Sequence, residues 1–251
     1  MIRAILDANI DMVEEYIRGG ASVNRHGMQD ESINIYPIHA ACESDNLDMV
    51  KYIVGQGADV NKCGTDCSYP IFISVNLGNL EITEYLLSRG AIPNCITRYR
   101  AEQEGFHEPG EYENILVTAI PYPEIFELLL QYGADPDAID EEGRSVLYFT
   151  STYDDHRSLD ILLRHGCDVN ARDYLGNTML AYVDSDETLT KKLISHGANP
   201  RIANYHGQKL NQYVHGHKFE TYVKWTECAI YLVDIFPEEF RYMLPDFITD
   251  Y

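Results

Sequence analysis

The sequence is poor in positive charge. Its 251 residues contain 19 Lys and Arg against 40 Asp and Glu, which gives a formal net charge of −21 at pH 7. Eight of the acids, against two arginines, lie between residues 134 and 160. A field of this sign repels nucleic acid and anionic membranes and favours a partner with a basic surface. A solvated acidic surface that keeps the chain soluble is the simpler explanation, and both readings stay open here.

Long apolar runs and a cysteine framework are also lacking. No run of 18 apolar residues occurs, so the sequence predicts no membrane span. The first residues have neither the basic start nor the apolar centre of a signal peptide. The six cysteines are scattered, which is typical of reduced thiols inside a cell. We therefore expect an intracellular protein, cytoplasmic or, if it is an effector, inside a host cell.

Catalytic and metal-binding motifs are missing as well. The sequence has no glycine-rich phosphate loop and no nucleophile elbow, and its His and Asp residues are spread along the chain. Cys63, Cys67 and Cys95 offer three thiols, with His107 as a candidate fourth ligand. The two-residue spacing that is common in zinc sites is absent. The sequence therefore predicts a protein that is not an enzyme and holds no metal or cofactor.

What the sequence does have is a repeated segment. The string DMVKYIVGQGADVN at residues 48–61 resembles DMVEEYIRGGASVN at residues 11–24, and four further copies follow. Each combines an apolar stripe at helical spacing with a glycine suited to the left-handed position that closes a helix. Six copies in phase, 31 to 43 residues apart, indicate a stack of similar units. The aligned glycines are Gly20, Gly57, Gly90, Gly133, Gly166 and Gly197.

A second, shorter helical segment precedes each copy. In YPIHAACESDN, residues 36–46, Pro37 suits the first position of a helix. This segment resembles the ankyrin signature Thr-Pro-Leu-His-x-Ala-Ala, with tyrosine and isoleucine in place of Thr and Leu. The chain is therefore similar to ankyrin repeat proteins over nearly all of residues 1–206. The resemblance implies an all-α solenoid of about six helix-turn-helix units with hairpin fingers, in which His39 ties neighbouring backbones together.

Several regions depart from the family pattern. The first copy leaves no room for a full unit, so the chain is expected to start inside a first helix. Residues 97–113 are a polar insertion where a hairpin finger belongs, and they predict an enlarged finger. Pro121 and Pro123 are expected to end one helix early and begin the next. Residues 207–251 predict a helical cap on the last repeat or, alternatively, a short segment that recruits a ubiquitin ligase.

The resemblance also implies a binding surface. Ankyrin repeat proteins bind partners on the concave side, through hairpin tips and the exposed part of each first helix. Transferred position by position, this surface is rich in acids and in tyrosine, which gives a large contact area at little entropic cost. The implied partner-binding residues are Glu43, Ser44, Asn76, Leu77, Tyr112, Glu141, Glu142, Arg144, Thr152, Tyr153, Tyr174, Leu175, Asn177, Tyr205, His206 and Gln208.

Three functions stay open from the sequence. The first is a protein–protein interaction module, an effector or inhibitor, that binds a partner protein with a basic surface. The second is a substrate adaptor that docks on a ubiquitin-ligase subunit. The third is an acidic decoy that occupies the site of a nucleic-acid-binding protein. None of them requires direct contact with nucleic acid or with a membrane.

A modification is implied by the resemblance too. Ankyrin proteins are substrates of an asparaginyl hydroxylase, which modifies the asparagine in the turn after the Gly-Ala pair. By position the candidates are Asn24, Asn61, Asn94 and Asn170. The sequences around Asn61 and Asn170 resemble the favoured pattern most. Asn94 is a candidate because the long finger after it is expected to loosen its repeat.

Overall fold

Short helices in pairs make up the parts of the chain that the structure describes. This computed structural model describes residues 1–28, 34–64, 68–98, 112–151, 156–183 and 186–208. The chain divides into two compact units, Met1–Glu141 and Glu142–Tyr251, which we call unit 1 and unit 2.

Unit 1 contains four helix pairs in its described residues. In each pair a first helix of five to seven residues is followed, after three turn residues, by a second helix of nine residues. The pairs, numbered in chain order, are α1 Ile2–Leu6 with α2 Ile10–Arg18, α3 Pro37–Glu43 with α4 Leu47–Gly55, α5 Pro70–Asn76 with α6 Leu80–Ser88, and α7 Ile115–Ala119 with α8 Pro123–Gln131.

Local chemistry sets where these helices begin and end. In three of the four pairs an asparagine side chain caps the second helix by accepting a hydrogen bond from the backbone N–H three residues on. Proline occupies the first position of α3, α5 and α8, where no N–H is needed. Because α7 ends at Ala119 and α8 begins at Pro123, the break expected at the two prolines is confirmed.

Two fingers of unit 1 contain short antiparallel hairpins. Strand β1 Gly27–Met28 pairs with β2 Asn34–Ile35, and β3 Ile96–Arg98 pairs with β4 Tyr112–Asn114. The second pairing joins the two ends of the predicted enlarged finger, in the manner of a hairpin. The residues between them, 99–111, lie outside the described part of the chain.

Unit 2 keeps the second helices, while its two first helices are a five-residue helix and a single 3-10 turn. Helix α9 Val146–Thr150 precedes α10 Arg157–Arg164, and a single 3-10 turn, Met179–Ala181, precedes α11 Glu187–Ser195. Apart from Gly207 and Gln208, the predicted cap or recruiting segment of residues 207–251 lies outside the described residues, so both alternatives for it stay predictions.

The core and the turns agree with the sequence pattern. The six aligned glycines have φ between 78° and 94°, the left-handed conformation predicted for them. Apolar side chains of both helices in each pair are buried, among them Ile38 and Ile53. The His39 ring is buried too, and its Nε2 lies 3.1 Å from the Ser68 carbonyl oxygen of the following repeat. That contact confirms the tie between neighbouring backbones expected of this histidine.

Candidate functional site

An asparagine bridge links successive repeats within each unit. The Asn24 side chain donates from Nδ2 to the Gly57 carbonyl oxygen at 2.8 Å and accepts at Oδ1 from the Asp59 N–H at 3.0 Å. Because one amide satisfies both a donor and an acceptor of the next turn, it fixes the spacing of the repeats at this end. The same pair of bonds runs from Asn61 to Gly90 and Ile92, from Asn94 to Gly133 and Asp135, and from Asn170 to Gly197 and Asn199.

The finger tips of unit 2 are joined by backbone hydrogen bonds. The Tyr174 N–H donates to the Glu142 carbonyl oxygen at 3.0 Å, and the Tyr205 N–H donates to the Leu175 carbonyl oxygen at 3.0 Å. Four residues predicted to bind a partner are thereby brought onto one continuous strip. We call Glu142, Tyr174, Leu175 and Tyr205 the finger ridge.

The finger ridge exposes three large side chains. Tyr174 is 65% exposed, Leu175 57% and Tyr205 66%, the highest values among the large apolar and aromatic side chains of the described residues. Single exposed apolar residues are normal on a protein surface, but a group of them is typical of an interaction site.

Both tyrosines pack closely over glycines, whose missing side chains leave room for them. A Cβ atom on Gly143 would lie 2.5 Å from Cδ1 of Tyr174, and one on Gly176 would lie 2.7 Å from the backbone nitrogen of Tyr205. The Arg172 guanidinium lies 4.6 Å from the centre of the Tyr205 ring and donates to the Ala203 carbonyl oxygen at 2.7 Å. These contacts restrict the rotamers of both rings in the free protein, so less side-chain entropy is left to lose on binding.

A buried carboxylate organises the base of the ridge. Asp173 is 7% exposed, and its Oδ1 accepts from the N–H groups of Leu175 at 2.9 Å and Asn177 at 2.8 Å. Its Oδ2 accepts from the Tyr182 hydroxyl. Burial and then the hydrogen bond to Asp173 raise the pKa of Tyr182 to about 12. The phenol therefore stays protonated and donates to the carboxylate over the physiological pH range.

The sequence reasoning did not find this carboxylate or its tyrosine. It did select Asn177, which is half-buried and donates from Nδ2 to the Tyr182 hydroxyl oxygen at 2.9 Å. The turn DYLGNT carries the pattern that could have identified the carboxylate, since an Asp ahead of a glycine turn commonly accepts backbone N–H groups two residues on. Asn177 stays a predicted contact residue, now with a structural role as well.

The remaining predicted residues are distributed over both units. Glu43 and Ser44 lie at the end of α3, and Asn76 and Leu77 lie at the end of α5. Glu141 is exposed at the end of unit 1, and Arg144 is half-buried and paired with Glu142. His206 and Gln208 are exposed in unit 2, and the backbone of Tyr112 lies in β4. Thr152 and Tyr153 lie outside the described residues. No structural observation tests their binding role, so it stays a prediction.

Charge is divided unevenly between the two units. Residues 1–141 hold 24 of the 40 acids and 8 of the 19 Lys and Arg, a net charge of −16, which leaves −5 for residues 142–251. The negative field of the chain therefore comes mainly from unit 1. This asymmetry could be read from the sequence only once the boundary at Glu141 was known.

The cysteines of unit 1 do not form a metal site in the described residues. Cys63 is exposed, whereas burial raises the pKa of the Cys95 thiol to about 12, and Cys67 and His107 lie outside the described part. Within that part, no three His, Cys, Asp or Glu residues are grouped so that they could hold a metal ion. None of its helices is long and apolar enough to cross a membrane.

Comparison with known proteins gives a consistent picture. Residues 1–97 match the family model described as ankyrin repeats, in three copies. Among solved structures 552 chains match, and one is the crystal structure of the ankyrin repeat domain of Bcl-3, described as a unique member of the IkappaB protein family. That domain is 21% identical, with a TM-score of 0.67 over 84% of this chain and 92% of the other. At this identity the likeness concerns the fold. Comparison with curated protein sequences gives no match.

Proposed function

We propose that this chain, which matches the ankyrin repeat family model over residues 1–97 and shares the fold of an ankyrin repeat domain, acts without catalysis by binding a partner protein through the finger ridge of unit 2. Ankyrin repeats are general protein–protein interaction modules. The narrower statement, that the ridge is the contact surface and that the partner has a basic surface, is our proposal.

The observation that carries the proposal is the fixed exposure of Tyr174, Leu175 and Tyr205. Exposed aromatic and aliphatic groups gain free energy when a partner covers them, and tyrosine is enriched among the residues that dominate binding energy. Here the finger tips are joined by backbone hydrogen bonds, and both rings rest on glycines. A surface that is already ordered in the free protein keeps most of that gain as affinity.

The net charge supports a basic partner. With −16 on unit 1 and −5 on unit 2, attraction to a positive surface accelerates encounter and weakens as salt is added. Positive and negative charges nearly balance at the finger ridge itself, because Glu142 pairs with Arg144 and Arg172 lies over Tyr205. We therefore assign affinity chiefly to the apolar ridge and encounter rate chiefly to the acidic surface.

The acidic decoy is a narrower form of the same proposal, in which the basic partner normally binds nucleic acid. The charge of unit 1 supports it, and competition distinguishes it. If a partner captured by this protein is released by duplex DNA at low salt, where electrostatic binding is strongest, the decoy reading is correct. If duplex DNA does not release the partner, this protein does not occupy the partner's nucleic-acid site. For the ubiquitin-ligase adaptor, the described residues contain no supporting observation, since its recruiting segment lies outside them.

A quantitative capture experiment tests the ridge. The full chain and the double variant Tyr174→Ala/Tyr205→Ala are immobilised, and bound proteins from the native cell are quantified by mass spectrometry. The matched control is Tyr16→Ala/Tyr132→Ala, which removes two tyrosines that are exposed on unit 1. We expect one or more proteins to be retained by wild type and control and to be depleted about 30-fold by the ridge variant, the effect of a single 2 kcal/mol hot spot.

Two measurements keep this experiment decisive. Circular dichroism and thermal melting must show that the ridge variant folds as wild type does. If ridge and control variants then retain the same proteins at the same level, the finger ridge is not the binding surface.

A further inference from the structure

The turns between paired helices of unit 1 carry a second exposed apolar group. Leu77, just after α5, and Leu80, the first residue of α6, are 48% and 40% exposed. Tyr122, in the turn between α7 and α8, is half-buried. These turns lie at the other end of the second helices from the closing glycines. We call Leu77, Leu80 and Tyr122 the turn patch.

Close contacts hold the turn patch together. A Cβ atom on Gly78 would lie 2.5 Å from Cε1 of Tyr122, so the ring rests on the glycine next to Leu77. The Tyr122 hydroxyl is 3.5 Å from the Asn76 carbonyl oxygen, at the limit of a hydrogen bond. Asn76 and Gly78 thus both lie against Tyr122 of the following repeat, which places this tyrosine beside the turn that carries Leu77.

The preceding turn is joined to the patch by a hydrogen bond. Asn79 donates from Nδ2 to Oδ1 of Asp45 at 2.6 Å, while its own Oδ1 caps α6 by accepting from the Ile82 N–H at 2.8 Å. Asp45 has φ of 52°, an uncommon left-handed conformation for a residue other than glycine. The bond to Asn79 holds a carboxylate beside the patch.

Acidic residues lie at the same ends of the second helices as the turn patch. Asp48, Glu81 and Glu124 lie in the first turns of α4, α6 and α8, are exposed, and form no ion pair with other described residues. Negative charge in a first turn also stabilises its helix through the helix dipole, so these carboxylates alone would not indicate a ligand. Their combination with exposed leucines and a tyrosine is what defines the chemistry of a partner.

We propose that the turn patch docks a basic amphipathic segment of a partner protein, whose apolar side chains cover Leu77, Leu80 and Tyr122 and whose Lys or Arg side chains reach the flanking carboxylates. The net charge of −16 on unit 1 opposes the other occupants, because a second copy, nucleic acid and an anionic membrane are all negative. This site is separate from the finger ridge and does not depend on it.

The test uses a defined probe. A fluorescein-labelled synthetic helix of leucine and lysine is titrated with the full chain, and its anisotropy is followed. The comparison peptide has the same lysines with serine in place of leucine. We expect the leucine peptide to bind at least about tenfold more tightly, since the patch offers apolar surface as well as charge.

Matched variants locate the site. Leu77→Ser/Leu80→Ser is compared with Ile92→Ser/Ile139→Ser, which alters two similarly exposed aliphatic residues of unit 1. We expect the first pair to weaken the leucine peptide about tenfold and the second to leave it unchanged.

Charge variants test the flanking carboxylates. Asp48→Asn/Glu81→Gln is compared with Glu15→Gln/Asp59→Asn, an equal change of net charge near the closing glycines. The first pair is expected to weaken binding by a larger factor than the second.

Several outcomes would overturn the proposal: equal effects of site and control pairs, equal affinity for the two peptides, or no binding of the leucine peptide. Light scattering that shows a dimer abolished by Leu77→Ser/Leu80→Ser would assign the patch to a second copy instead. The variant Tyr174→Ala/Tyr205→Ala must bind the leucine peptide as wild type does. Failure of the turn patch therefore leaves the finger ridge untouched, and the reverse also holds.

Discussion

Unit 1 and unit 2 both rest a tyrosine ring on a glycine, but at opposite ends of the repeat. In unit 1 the pair is Tyr122 on Gly78, in the turns between helices, whereas in unit 2 it is Tyr205 on Gly176, at the finger tips. Each pair stands next to an exposed leucine. One packing device, which needs only a glycine and a tyrosine in the following repeat, therefore builds a surface at either end.

What the two units share is the end with the closing glycines. The same asparagine bridge connects repeats in both, and every second helix has eight or nine residues. The first helices differ, from seven residues in α3 and α5 to a single 3-10 turn in unit 2. Between the two units the bridge and the second helix are thus constant, whereas the length of the first helix varies.

The largest expected effect comes from filling the space under a tyrosine. Gly176→Ala and Gly78→Ala each combine left-handed strain with a clash against Tyr205 or Tyr122, and we expect a loss of about 3 kcal/mol in the free energy of unfolding. Gly57→Ala is the control, since it has a similar φ and no atom within 4 Å of the added Cβ, and it should cost about 1 kcal/mol. Urea denaturation followed by circular dichroism measures all three.

A double variant separates clash from strain. In the Gly78→Ala background, Tyr122→Ala removes the atoms that the new Cβ meets, so the two changes should be less than additive. Strict additivity, or a Gly78→Ala cost no larger than that of Gly57→Ala, would show that the ring does not rest on the glycine. The comparison of the two units would then lose its basis.

The asparagine bridge is expected to contribute equally to the stability of both units. Asn61→Ala and Asn170→Ala each remove two hydrogen bonds and leave a carbonyl oxygen and an N–H of the next turn to water, at a cost of about 2 kcal/mol. Labelling of buried thiols in partial denaturant distinguishes the units, because Cys42 lies in unit 1 and Cys167 in unit 2. Asn61→Ala should accelerate labelling of Cys42 more than of Cys167, and Asn170→Ala should do the opposite. Equal acceleration of both thiols by either variant would show that the two units unfold together.

Much of the fold could be predicted because its determinants are local. The apolar stripes, the left-handed glycines and the helix-starting prolines each depend on a few consecutive residues, and Pro37 and Pro123 begin helices as predicted. The exposed residues of the finger ridge were also selected, through position in the family pattern. Their rigidity was not, because it depends on glycines and on a buried carboxylate that meet the ridge only in the folded chain.

The turn patch shows more clearly which contacts cannot be predicted from the sequence. Leu77 was selected from the sequence, but Tyr122 was seen only as the residue between two prolines. Its contact with Gly78 joins two repeats, and no local pattern encodes which glycine a tyrosine will cover. The network of Asp173 and Tyr182 has the same character, since the tyrosine follows a segment with no helical period.

A smaller effect is expected from the phenol beneath the finger ridge. Tyr182→Phe removes a hydrogen bond to a buried carboxylate that keeps two backbone donors, at a cost of about 1 kcal/mol at neutral pH. Because the pKa of Tyr182 is raised from 10.0 to about 12, its contribution is complete below pH 10 and is lost as the pH rises toward 12. The free energy of unfolding, measured between pH 9 and 12, should therefore fall more steeply with pH for wild type than for Tyr182→Phe. Parallel plots of unfolding free energy against pH for the two proteins would show that the pKa of this phenol is not raised by folding.

The smallest expected effect on stability is that of hydroxylation at the bridging asparagines, because an oxygen added at Cβ leaves both amide hydrogen bonds possible. The enzyme must draw the turn into an extended strand, and such local opening is easiest where few contacts hold a repeat. Asn61 and Asn170 fit best by sequence, and the repeats around Asn170 have the shorter first helices. We therefore expect Asn170 to gain an oxygen faster than Asn61 when the protein is incubated with an asparaginyl hydroxylase and digested for mass spectrometry, with Asn94 as the further candidate. Faster modification of Asn61 would mean that first-helix length does not control opening of the turn, and unmodified peptides for Asn24, Asn61, Asn94 and Asn170 alike would exclude the modification.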